Sequence, residues 1–290
     1  MDDCIIVRIM GGLGNQMFQY AFGRYIADKL KVPLKLDLST FDEPYEKRPY
    51  ALDCFNIKAS VASRAEVSEV RRKPNAFTKL FRKCSGVSRG WVREKAEHRF
   101  CERMEYVAAP AYLDGYWQCF EYMKRAKHLI EEDFQLRCPL NSESSAILSD
   151  MAESTSVSIH VRRGDYVSNP EFKAVHGVCL LEYYAKAVDL LRDRFGVLNC
   201  YVFSDDPDWV REHLDLPVGS TIIDPNEKHP EKDLYLMMGC KHHVIANSSF
   251  SWWGAFLGEA SEGDCVIAPK QWYANGKTSG DLLPEEWVRL

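Results

Sequence analysis

Between Ser156 and Val167 the chain reads SVSIHVRRGDYV, which brings His160, Arg162, Arg163 and Asp165 within six residues. The stretch before them looks like a buried strand through Val157, Ile159 and Val161. Side chains alternate across a strand, so His160 and Arg162 share one face, and Ile159, Val161 and Arg163 share the other. Same-face neighbours lie roughly 7 Å apart, so His160 and Arg162 can touch different parts of one ligand. A delocalised guanidinium fork at a strand end suits a phosphate better than a lysine does. The competing reading is structural: Arg162 or Arg163 paired internally with Asp165, and His160 a satisfied core histidine. Arg163, pointing away, is expected to hold structure.

Two further polar groups follow apolar strands. HHVIANSSFSWWGAFL reads as strand, hydroxyl-rich turn and helix, delivering Asn247, Ser248, Ser249 and Phe250. The unpaired N–H groups of a helix start, with serines beside them, form an anion site. Plain N-capping by Ser249 or Ser251 would use the same residues. CYVFSDDPD delivers Asp205 and Asp206; Asp206-x-Asp208 resembles a metal-binding pair, but Pro207 opening a helix makes Asp206 equally a cap. In a parallel sheet one crevice receives all three strand ends.

Near the start, CIIVRIM reads as a strand and GGLGNQ as a tight turn holding Gly12, Gly14, Asn15 and Gln16; a helix is expected over Met17–Leu30. Gly12-x-Gly14 followed by Asp37 at the next strand end invites a dinucleotide reading. Met17 stands where the third glycine belongs, and its bulk opposes close helix–strand approach. Arg163-Gly164-Asp165 spells an adhesion tripeptide, but it abuts a core strand rather than an exposed loop tip.

These motifs need a scaffold of alternating strands and helices. The 290 residues are 46% hydrophobic, enough for a packed core, and the alternation predicts α/β architecture in two halves, 1–145 and 146–290, with the last residues packing back on the first. A net charge of −5 gives no global footprint for nucleic acid. Locally, Arg64–Arg103 holds 12 Lys or Arg against 5 Glu, either a solvated face or a basic surface for an anionic or lipid-linked substrate. Ten scattered cysteines without a CxxC pair read as reduced thiols. The acidic start lacks the features of a signal peptide and no apolar run nears the length of a membrane span, so a cytoplasmic location is expected.

Taken in order, GGLGNQMFQYAFG, HVRRGDY, FSDDP and NSSFSWWGAFLG resemble the bacterial α-1,2-fucosyltransferases of glycosyltransferase family 11, over nearly the whole chain. The resemblance implies a GT-B-type fold, two Rossmann-like α/β domains facing a cleft, the first on the acceptor side and the second binding GDP-fucose. It implies inverting transfer of L-fucose from GDP-β-L-fucose to the 2-hydroxyl of a terminal β-galactoside, with no cofactor and no obligatory metal. Partners are then GDP-fucose and a galactose-terminated glycan, with peripheral membrane contact where that glycan is lipid-linked. In the family pattern His160 and Asp233 hold guanine, Arg162 grips the diphosphate and Ser249 contacts phosphate. The turn of Gly12, Gly14, Asn15 and Gln16 faces donor phosphates or sugar. Asp205, Asp206, Asn247, Ser248 and Phe250 complete the donor set, the aspartates without an assigned atom. Arg162 and Asp165 are the catalytic candidates; Asp165 ranks first as base, ahead of Glu171, Asp37 and Glu121, unless it only anchors an arginine. Transfer to another linkage, or a non-catalytic GDP-sugar or glycan-binding protein, remain the alternatives.

Overall fold

The structure is a computed structural model that describes residues 3–46, 48–72, 88–226, 228–258 and 263–290. Of the basic stretch, residues 73–87 lie outside the described residues, and Cys84 with them. The other nine cysteines are free thiols.

The chain divides into two compact units. The first is Met1–Arg137 with Gly280–Leu282, and the second is Cys138–Ser279 with Leu283–Leu290. The late return is held locally: Asp281 N donates to His98 O at 2.6 Å, and Phe120 N donates to Asp281 O at 2.8 Å.

The first unit carries β1 (Ile5–Arg8), α1 (Leu13–Leu30), β2 (Leu34–Asp37), β3 (Ser60–Val61), α2 (Arg64–Val70), β4 (Ser88–Arg93), β5 (Val107–Asp114) and α3 (Phe120–Asp133). Its sheet runs β3-β2-β1-β5-β4, and every pairing is parallel. Helix α1 starts four residues earlier than the hydrophobic spacing predicts, at Leu13, so Gly14, Asn15 and Gln16 form its first turn. Close contact of α1 with β1 falls at Gly23, where a Cβ would sit 3.1 Å from Val7 Cβ. Met17 is buried outright instead.

The second unit carries α4 (Ser142–Glu153), β6 (Ser156–Val161), α5 (Gly164–Ser168), α6 (Pro170–Val175), α7 (Leu181–Phe195), β7 (Asn199–Ser204) and α8 (Pro207–His213). It continues through β8 (Thr221–Ile223), α9 (Pro230–Met238), β9 (His242–Val244), α10 (Ser249–Gly258), β10 (Val266–Ala268) and β11 (Val288–Arg289). The order is β11-β10-β9-β6-β7-β8, again wholly parallel.

Both faces of a parallel sheet are covered, which is why its strands are so apolar. In β6 all six residues are buried, and the two faces differ. Val157, Ile159 and Val161 join Tyr184, Ala187 and Leu191 of α7 in one core cluster. Each such aliphatic side chain contributes about 1.5–3 kcal/mol by leaving water. The other face carries Ser156, Ser158 and His160, and there Ser158 Oγ lies 2.8 Å from His243 Nδ1 of the neighbouring β9.

The strand order fixes where a ligand can enter. From β6 the chain moves outward through β7 and β8, then returns to place β9 on the other side of β6. The crevice at the carboxyl ends of β6 and β9 is therefore a topological switch point. The first unit has its own between β1 and β5.

Candidate active site

At the end of β6 the side chains separate as strand alternation requires. His160 stays buried, with its ring 5.9 Å from that of Phe250 on α10. Its Nδ1 is buried without a hydrogen-bond partner. Burial first, and the charge of Arg162 second, push its pKa down to about 3, so the imidazole is neutral at physiological pH. A neutral imidazole with an unmade hydrogen bond is suited to a neutral donor or acceptor group.

Arg162 and Arg163 each meet an aspartate from the end of β7. Arg162 Nη1 lies 2.8 Å from Asp205 Oδ2, and Arg163 Nε lies 3.0 Å from Asp206 Oδ2. Asp206 also caps α8, its Oδ1 accepting from Trp209 N at 3.3 Å. Arg163 stacks 3.9 Å above the Trp209 ring. Asp165 stands in α5, but its side chain lies outside the described part.

The second aspartate of Asp206-x-Asp208 is paired within α8, Asp208 Oδ1 accepting from Arg211 Nη1 at 2.8 Å. Among the described residues no three His, Cys, Asp or Glu side chains gather into a metal-holding group.

Across the crevice, Asn247 and Ser248 are buried, while Ser249 and Phe250 are half-buried at the start of α10. Both arms of the Asn247 amide serve the scaffold. Nδ2 donates to His176 O at 2.9 Å and Trp272 O at 3.2 Å, and Oδ1 faces Cys179 Sγ at 3.7 Å. The helix cap is Ser248 rather than Ser249 or Ser251: its Oγ accepts from Phe250 N at 3.3 Å. Ser251 is buried, bonding back to Ser248 O at 3.4 Å. Ser249 is the half-buried first residue of α10. Helix-start N–H groups with a positive dipole end favour an anion there.

Asp233 lies in the first turn of α9, and Asn226 N donates to its Oδ2 at 3.1 Å. Burial raises its pKa to about 6 against the pull of that N–H, with Glu231 adding a little.

The first unit's glycine turn leads into the N-terminus of α1. Gly11, not Gly12, takes the left-handed conformation, at φ 75°. Gly12 is extended as the N-cap of α1, and a Cβ there would meet nothing within 4 Å. Gln16 is fully buried and bonded throughout: Nε2 donates to Gly11 O (2.7 Å) and Pro49 O (2.8 Å), while Oε1 accepts from Ala51 N (2.9 Å). Asn15 Oδ1 accepts from Gln118 Nε2 at 2.8 Å. The carboxylates weighed as bases are engaged too. Asp37 Oδ2 accepts from Tyr112 OH at 2.6 Å, and Glu121 Oε2 from Arg125 Nη1 at 2.7 Å. Glu171 is exposed in the first turn of α6.

One site neighbour escaped the motif reading. Arg162 lies over the ring of Tyr166, 5.5 Å from its centroid, and Tyr166 OH donates to Asn247 O at 3.4 Å. Only its place four residues after Arg162 hinted at this.

These are two parallel-sheet α/β units, the building blocks of a GT-B-type protein. The family model "Glycosyl transferase family 11" matches residues 91–290. An Escherichia coli alpha-1,2-colitosyltransferase is 36% identical over 99% of this chain and 98% of its own. The O-antigen biosynthesis glycosyltransferase WbnK of Escherichia coli is 30% identical over 97% and 99%. The galactoside alpha-(1,2)-fucosyltransferase 2 of Oryctolagus cuniculus is 27% identical over 98% of this chain and 76% of its own. Among solved structures, fucosyltransferase NodZ from Bradyrhizobium superposes with a TM-score of 0.49 at 14% identity, covering 89% of this chain and 93% of that one. The chain belongs to glycosyltransferase family 11.

Proposed function

We propose that the chain transfers L-fucose, with inversion, from GDP-β-L-fucose to the 2-hydroxyl of a terminal β-galactoside, giving Fucα1-2Gal glycans. The observation that carries this reading is the buried, unbonded Nδ1 of His160 with Arg162 at the carboxyl end of β6, the strand beside β9, after which α10 starts at Ser249. The departing group is a diphosphate, so negative charge grows on its β-phosphate while positive charge grows on the sugar. Donors fixed in advance at that phosphate stabilise the transition state more than the ground state. Arg162 and the α10 N-terminus supply them without an obligatory metal. His160 and Asp233 take the guanine: a carboxylate accepts from its N–H groups and the neutral imidazole completes a hydrogen bond. Asp165 takes the proton of the acceptor hydroxyl.

None of the described helices is long and apolar enough to cross a membrane. A lipid-linked acceptor would bring the basic stretch Arg64–Arg103 to a membrane surface; salt-sensitive binding to anionic vesicles supports that contact, and salt-insensitive or absent binding removes it.

The relative named as a colitosyltransferase favours a second reading, in which the donor sugar is colitose. One experiment addresses both. The protein is incubated with GDP-fucose or GDP-colitose and a panel of galactosides, chelator present. A mass gain of one deoxyhexose, GDP release only when a galactoside is added, and an α1-2 linkage by NMR support the first reading. Gain only from the colitosyl donor supports the second, and no gain from either overturns both.

A further inference from the structure

Arg162 and Arg163 are neighbours in sequence, and each finds its own aspartate one strand over. The β6–β7 register ends at Val161 opposite Ser204, so Arg162 falls opposite Asp205 and Arg163 opposite Asp206. The two pairs differ in what the carboxylate does. Asp206 is taken up by Arg163 and by the cap of α8. Asp205 has one oxygen pinned by the main chain, Oδ1 accepting from Arg163 N at 2.8 Å. The other, Oδ2, is thereby fixed against Arg162 Nη1 at 2.8 Å. Tyr166 meets the same guanidinium over its ring and is itself tied to Asn247 O at 3.4 Å. Gly164 makes room: a Cβ there would lie 2.5 Å from Asp205 Oδ2.

We propose that Asp205 is a positioning residue that aims Arg162 at the departing phosphate, rather than a ligand of the donor, a role that rests on reading Arg162 as the diphosphate ligand. A carboxylate placed against a diphosphate repels it, so direct contact would weaken donor binding. Held against Arg162 it does something else. A guanidinium with five N–H donors can serve a carboxylate and a phosphate together, and the carboxylate fixes its plane. Orientation matters most where charge develops, in the transition state. Removing the Asp205 charge therefore has opposed effects on bound GDP: repulsion is relieved while aim is lost. Turnover feels only the lost aim.

The test uses Asp205→Asn, Asp205→Glu and Gly164→Ala in the full chain, each checked for cooperative thermal unfolding. GDP affinity is read by calorimetry, and kcat and KM with GDP-fucose and a galactoside. GDP binding and turnover of the parent protein come first; a parent that binds no GDP overturns the functional reading itself, whatever the variants do. With that in hand, Asp205→Asn is expected to hold GDP within about threefold of the parent while kcat falls at least ~10-fold. Asp205→Glu recovers part of the loss. Gly164→Ala keeps every charge but displaces Oδ2, and reproduces the fall in kcat; it decides alone if Asp205→Asn does not fold. GDP affinity falling in step with kcat in a folded Asp205→Asn makes Asp205 a donor ligand and overturns the proposal. An unchanged kcat overturns it as well.

Discussion

At the carboxyl edge of the first sheet the central charge is a carboxylate wrapped in donors, while at the edge of the second it is a guanidinium set against Asp205. Asp114, ending β5, takes Trp91 Nε1 at 3.0 Å, Arg93 Nε at 3.2 Å and Arg8 Nη1 at 3.3 Å. Those partners hold its pKa below the usual carboxylate range against the opposing effect of burial. Asp37 is likewise met by Tyr112 and by Ser39 N. In the second unit Arg162 stands beside a half-buried helix start and an imidazole with an unmade hydrogen bond. Two sheets of similar topology thus differ in which charge sits at the switch point. Buried polar atoms without a partner occur in both units, His160 Nδ1 in the second and Gln19 Nε2 and Trp117 Nε1 in the first, so it is the sign of the charge at the switch point that separates the two edges.

The sharpest way to break that contrast is Arg162→Ala. Turnover is expected to fall by ~10²–10³, the scale of one lost oxyanion donor, and parent-like turnover of the purified variant would remove Arg162 from the mechanism. Next comes the base. Asp165→Ala should lose about 10²-fold in kcat/KM together with the acidic limb of the pH–rate profile, a larger change than alanine at Glu171, Asp37 or Glu121. A bigger loss at Asp37 would shift the proton-accepting role to the first unit.

A smaller effect is read against pH. With its carboxyl raised to about 6, Asp233 is increasingly protonated below that pH and stops accepting from guanine. GDP affinity should drop by about tenfold per unit below pH 6, and Asp233→Asn should flatten the profile. The stability sign runs the other way. The folded protein holds this proton more tightly than the unfolded chain, so the group's stabilising contribution is fully present below the unfolded carboxyl pKa. It is lost as pH rises through about 6. Asp233→Asn should accordingly raise Tm more at pH 8 than at pH 5.

The least costly of the four acts on the first unit's edge. Asp114→Asn, read by denaturant unfolding at pH 7, should cost about 1–3 kcal/mol, the worth of hydrogen bonds to a charged group. The contribution of Asp114 is present above the unfolded carboxyl pKa and lost as pH falls through its lowered folded value. Parent and variant should therefore converge in acid, and a constant gap down to low pH would show that the carboxylate charge is not what stabilises this edge.

Much of this was legible in residues alone. Alternation in SVSIHV predicted one apolar and one polar face, and the fold packs Val157, Ile159 and Val161 on α7 while Ser158 and His160 take the other side. Pro207 after Asp206 offered the cap of α8 as one of two readings, and the capping bond to Trp209 N is there. The choice of capping serine was not legible, because Ser248, Ser249 and Ser251 have the same chemistry and differ only in where α10 begins. The bonding of Gln16 was not legible for a related reason. A glycine-rich turn before a helix suggests backbone open to an anion, yet Gln16 spends its amide on Gly11, Pro49 and Ala51. The bonds to Pro49 and Ala51 join positions more than thirty residues apart, which no local pattern encodes.

By itself the sequence determined the periodicities, hence two sets of buried parallel strands, and the polar residues at their carboxyl ends, since both are local consequences of alternation and side-chain chemistry. The tertiary structure decided which strand ends are neighbours and therefore which charges cancel. Strand order puts β9 beside β6 and register puts Asp205 opposite Arg162. A polar group becomes a site or a strut according to what the folded chain places within 3 Å of it, a distance set by packing rather than by spacing along the chain.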